Sequence, residues 1–122
     1  MRRTALALLL LAASAAALRA AEKEKHVYRL DSVIATAVKG GIQVQARGAV
    51  QSGGWSHVRL KLLKSSADTV VLEFLAQPPA ANMAVIQGLL PVGARATVKA
   101  GRGVTSVRVV AEANEVTAQV LR

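Results

Sequence analysis

Ile42-Gln43-Val44-Gln45-Ala46-Arg47-Gly48-Ala49-Val50 puts Ile, Val, Ala, Gly and Val at even positions and Gln, Gln, Arg and Ala at odd ones. A period of two belongs to a β-strand, whose successive side chains point to opposite faces. The segment therefore predicts a strand with one buried apolar face and one polar face.

The same alternation extends in both directions. Upstream, Lys39-Gly40-Gly41 reads as a hairpin turn. The preceding run His26–Val38 sets Tyr28, Leu30, Ser32, Ile34 and Val38 on one parity and Arg29 and Asp31 on the other. Downstream, Gln51-Ser52-Gly53-Gly54 reads as a second turn, followed by Trp55 and by Val58, Leu60 and Leu62 against Arg59 and Lys61. Lys64–Asp68 is a polar loop. In Thr69–Ala76, Val70, Leu72, Phe74 and Ala76 oppose Glu73, and Gln77-Pro78-Pro79-Ala80 ends the run because proline lacks a ladder donor. Residues 81–91 fit either a short helix or a strand. Beyond Pro91, Val92, Ala94, Ala96 and Val98 alternate with Arg95, Thr97 and Lys99. Ala100-Gly101-Arg102-Gly103 is a third glycine turn. The last two strands carry Val107, Val109 and Ala111, then Val116, Ala118 and Val120, inward, with a turn at Ala113-Asn114.

About seven short strands separated by such turns predict an all-β domain over residues 21–122. The first expectation is an immunoglobulin-like β-sandwich of antiparallel strands. Trp55 opens the third strand, where antibody-type domains carry a tryptophan, although the inter-sheet cysteines are missing. A small open β-barrel is the alternative.

The first residues read differently. Met1-Arg2-Arg3 is a positive start, Ala5–Leu18 is an apolar run interrupted by Ser14, and small residues follow. The run falls short of the roughly 20 residues that span a bilayer and fits the apolar region of a secretory signal peptide. Cleavage after Ala17 and after Ala20 both fit; the second gives a signal peptide of residues 1–20 and a mature form without a transmembrane segment. Thr4-Ala5 after the arginines continues no twin-arginine motif. The chain has no cysteine, so neither a lipid anchor on cysteine nor a disulfide is available. The expected location is the periplasm or the extracellular medium.

Of the 16 Lys and Arg in the chain, Arg2, Arg3 and Arg19 leave with the signal peptide, so 13 remain against 7 Asp and Glu, a net charge of +6. Such a basic protein favours anionic surfaces such as phospholipid or lipopolysaccharide. Export argues against a nucleic-acid partner. One Trp, one Tyr and one Phe leave the core to aliphatic residues.

Catalytic chemistry has little to build on. His26 and His57, with Asp31 or Glu73, are the candidates for a metal site or a small hydrolase, but no ligand spacing joins them. Ser56 and His57 are adjacent, and on a regular strand they point to opposite faces, which argues against a direct pair. The acids are dispersed. Gly53-Gly54 and Gly101-Arg102-Gly103 lack the Lys-Ser/Thr of a phosphate loop and read as hairpin turns. No cofactor is implied.

Two features could serve binding. Trp55 either plugs one end of an aromatic-poor core or stands on a loop edge as a partner contact; the usual burial of tryptophan favours the plug. Arg47, Arg59, Lys61, Arg95, Lys99 and Arg108 all lie on the polar parity of their strands. They form either a solvated surface that discourages edge pairing or, if their strands are neighbours, a positive docking face.

The pattern Val44–Leu60, V-x-A-x-G-x-V-x-S-G-G-W-S-x-x-x-L, with Val107–Asn114, resembles small uncharacterised exported bacterial proteins with a single β-sandwich domain. The resemblance implies an envelope location and brings no site residues. The leading expectation is a non-catalytic exported interaction module for an envelope protein or an anionic envelope surface. The alternatives are a small envelope hydrolase or metal-dependent enzyme using His26 and His57, and an inhibitor of an envelope protease or lysozyme.

Overall fold

The computed structural model describes residues 24–122; the signal peptide read at residues 1–20 lies outside the described residues. Eight strands and no helix occur among the described residues: β1 (Lys25–His26), β2 (Arg29–Val38), β3 (Gly41–Ser52), β4 (Ser56–Ser65), β5 (Thr69–Gln77), β6 (Gln87–Lys99), β7 (Ser106–Val110) and β8 (Glu115–Leu121).

Ladders join β1, β5, β7, β8, β2, β3 and β6 in that order, and β4 pairs with the other edge of β5. β8 makes the sheet continuous. Its residues Glu115–Gln119 pair with β7, and Val120 and Leu121 pass to Ala35 and Thr36 of β2. The sheet curls until β4 and β6 lie side by side, with no ladder between them. This is an open half-barrel. One continuous sheet thus replaces the two separate sheets of the expected sandwich, and the open-barrel alternative fits.

The strands are not all antiparallel. β5 pairs with β7 in parallel, as β2 does with β8. The glycine turns explain this. Lys39-Gly40 closes the β2–β3 hairpin as expected, with Val38 opposite Gly41. The turns at Gly53-Gly54 and Gly101–Gly103 close no hairpin: β3 does not pair with β4, nor β6 with β7. Each carries the chain to another part of the sheet, which allows a strand to meet a parallel neighbour.

The concave face holds the core. Val70, Leu72, Phe74 and Ala76 of β5 pack with Val107 and Val109 of β7 and with Ile42, Val44, Ala46 and Val50 of β3. Each fully buried Val, Leu, Ile or Phe contributes roughly 1.5–3 kcal/mol, so the core draws its stability from aliphatic side chains packed around the one phenylalanine, Phe74. β5 is buried on both faces, because Val71 and Leu75 of its outer parity are covered as well.

β2 departs from the predicted parity. Leu30 is buried, but a bulge lies between Leu30 and Ser32. One inserted residue reverses every later side chain. Ala35 is therefore buried and Val33 half-buried, whereas Ile34 and Val38, expected inward, face solvent. A second bulge lies between Leu62 and Lys64, and Leu62, expected inward, is exposed although it stays in register with Leu72. The ambiguous 81–91 segment contains a turn at Ala81-Asn82 and then the first residues of β6, which runs through Pro91. β6 has a ladder on one edge only, where a missing proline N–H is tolerated.

Candidate anionic-surface interface

The sheet divides the six predicted basic residues into two groups. On the outer face of β3 and β6, Arg47 lies opposite Gly93, Gln45 opposite Arg95, and Gly41 opposite Lys99. Gly93 has no side chain, so a shallow notch opens between Arg47, Gln45 and Arg95. A Cβ on Gly93 would stand 3.8 Å from Cγ of Arg47; the glycine leaves the arginine stem uncovered. Among the described residues the ion pairs are Arg29–Asp31 and Arg59–Glu24, and Arg47, Arg95 and Lys99 have none.

Arg59, Lys61 and Arg108 lie on the outer face of β4, β5 and β7. Arg59 is neutralised there: its Nε donates to Glu24 Oε1 at 2.8 Å and its Nη2 to Oε2 at 2.6 Å. This fork holds the Glu24 carboxyl below its ordinary pKa of 4.5, with smaller contributions from the nearby charges of Lys61 and His57. Lys61 lies opposite Glu73. Arg108 belongs to a row running Lys64, Val71, Arg108, Thr117 across β4, β5, β7 and β8. Its Nε is buried and has no hydrogen-bond partner among the described residues. The single positive face drawn from strand parity is therefore two faces, of which the β3–β6 one carries cations without carboxylate partners among the described residues.

The histidines gain one unexpected contact. His57 has φ of 52° in the bulge between Ser56 and Arg59, and its Nδ1 comes within 3.1 Å of Ser56 Oγ. The argument from strand alternation against a direct pair fails at that bulge, which abolishes the alternation locally. The pair is exposed, and no carboxylate among the described residues hydrogen-bonds the ring. His26 lies opposite Leu75, the residue that Arg59 faces from the other side of β5. Among the described residues no group of three or more His, Asp or Glu is close enough to hold a metal ion.

No family model, curated protein or solved structure matches the chain.

Trp55 is half-buried and packs against the core, and its Nε1 donates to Ser52 Oγ at 3.3 Å. Beside it stands a feature the sequence reading passed over. Met83, Ile86, Leu89 and Leu90 form a spur of exposed large apolar side chains, and Ile86 is 75% exposed. The spur is anchored at its base, because Gly53 N donates to Ile86 O at 2.8 Å and Gly54 packs beside Pro79, Met83 and Val85. The signal was in the sequence: an apolar run, Met83–Leu90, without the alternation that would give it a buried side.

Proposed function

We propose that this chain is an exported, non-catalytic binding module, periplasmic or secreted, that docks on an anionic surface of the cell envelope through the outer face of β3 and β6. The observation that carries the reading is the Gly93 notch, where Arg47 and Arg95 stand with no carboxylate partner among the described residues. Composition supports it: no Asp or Glu lies between Glu73 and Glu112, a stretch that holds Arg95, Lys99, Arg102 and Arg108. Guanidinium groups suit this task, since their planar donor fork matches phosphate and carboxylate oxygens.

Contacts of this kind weaken as salt rises. The test is retention on an immobilised anionic resin. The protein is expected to bind at low ionic strength and to elute earlier when Arg47→Gln and Arg95→Gln are combined. Equal elution of the double variant and the parent would overturn the reading.

A further inference from the structure

We infer that the anionic surface is a phospholipid bilayer and that the Met83–Leu90 spur inserts into its interfacial layer. This rests on the docking face proposed above and names its partner.

Three observations lead there. First, the spur projects apolar side chains from one end of the sheet. Four of the molecule's exposed large hydrophobic residues, Met83, Ile86, Leu89 and Leu90, fall within this one segment. Soluble proteins tolerate scattered exposed apolar residues, but a concentrated patch marks an interaction site. Second, the spur runs directly into β6, the strand that carries Arg95 and Lys99. Pro91, Gly93, Arg95, Thr97 and Lys99 follow one another on the outward parity of β6, Arg47 faces Gly93, and Leu89 precedes them in the bulge between Gln87 and Leu90, where it is exposed. At about 3.3 Å per residue, Leu89 lies roughly 13 Å from the Arg47–Gly93 row. Arginine stems can lie along apolar surface while their heads stay in the polar layer, which shortens that gap. An apolar tip followed by cations matches the order of layers at a membrane, acyl chains and then phosphates. Third, the spur is acid-free, as is the whole chain from Phe74 to Ala111, so no carboxylate of this stretch repels an anionic headgroup.

A protein partner would normally meet such a spur with a complementary patch on its own surface and would need no free arginines further along the strand. The joint presence of both elements favours lipid.

Trp55 is the sole tryptophan of the chain and adjoins the base of the spur, so its fluorescence reports insertion without a label. The protein is titrated with vesicles of phosphatidylcholine containing phosphatidylglycerol, with pure phosphatidylcholine vesicles, and with the anionic resin. Binding and a change in Trp55 emission are expected with the anionic vesicles alone. The variant Ile86→Ser/Leu89→Ser is expected to bind those vesicles about 10- to 100-fold more weakly while its retention on the resin is unchanged. Both positions are exposed, so its melting temperature should match the parent's, confirming that folding is intact.

Retention on the resin together with equal vesicle affinity of parent and variant would overturn insertion and leave electrostatic docking standing. Failure to bind the resin at low salt would overturn the docking face itself. A partner protein that binds the spur while vesicles do not would also overturn the lipid assignment.

Discussion

The carboxamide of Asn114 binds the main chain of Leu30 at both ends: Leu30 N donates to Oδ1 at 2.8 Å, and Nδ2 donates to Leu30 O at 2.9 Å. A side chain thus stands in for a neighbouring strand on the edge of β2 that β8 joins only at Ala35 and Thr36. The flanking main chain continues the contact, with Glu112 N donating to Val27 O and Ala113 N to Tyr28 O. The β7–β8 turn is thereby fastened to the start of β2. Asn114→Ala removes both bonds and leaves a donor and an acceptor of Leu30 partly buried. A loss of about 1–3 kcal/mol is expected by denaturant unfolding. Asn114→Asp keeps one acceptor, loses the donor and should fall between the two.

The turn beneath the spur depends on a glycine. Gly54 has φ of 85°, and a Cβ there would come 2.8 Å from Pro79 Cβ and from Val85 Cγ1. Gly54→Ala should therefore lower stability by about 1–3 kcal/mol, through backbone strain and displacement of the spur base. Trp55, the next residue, should report it by a changed emission spectrum of the folded protein. A thermal melt read by fluorescence measures both.

The fork between Arg59 and Glu24 predicts a small acid sensitivity. The Glu24 carboxyl is held below its unfolded value in the folded state. The stabilisation is therefore complete above the ordinary carboxyl pKa of 4.5 and is lost as pH falls through the lower folded value. Both groups are partly solvated, so the effect is modest. Arg59→Gln should be less stable than the parent at neutral pH, and the difference should vanish at low pH. Paired unfolding curves across the acid range check the sign.

Alternation made the strands legible, since packing decides it: the inward rows of β3, β5, β7 and β8 follow parity from end to end. Two kinds of information were not local. A bulge adds one residue to one strand and depends on the partner's geometry, as at Asp31 between Leu30 and Ser32. Parity alone therefore misassigned Ile34 and Val38. Strand order was the other. A glycine turn has the same composition whether it closes a hairpin, as at Gly40, or carries the chain across the sheet, as at Gly53-Gly54. The basic residues were legible one by one, but their separation into two faces needed the β3–β6 and β4–β5–β7 pairings. His57 joined Ser56 only through a backbone conformation that a bulge imposes.

Arg108 offers a test of what its guanidinium does for the fold. The side chain lies between Val71 and Thr117 in the row across the outer face, and Val71 is buried there. The aliphatic stem can cover Val71 while the buried Nε, without a partner among the described residues, weighs against the folded state. The two contributions are separable. Arg108→Met keeps an unbranched apolar stem and removes the orphaned donor, so it should equal or exceed the parent in stability, by up to about 1 kcal/mol. Arg108→Ala removes the cover as well and should destabilise by about 1 kcal/mol or more. If Met and Ala cost the same, the guanidinium is bonded in solution and its charge, not its stem, is what the fold uses. Urea unfolding of the three proteins, at low and at high salt, distinguishes these outcomes: a stem effect is indifferent to salt, and a charge effect on this outer face shrinks with it.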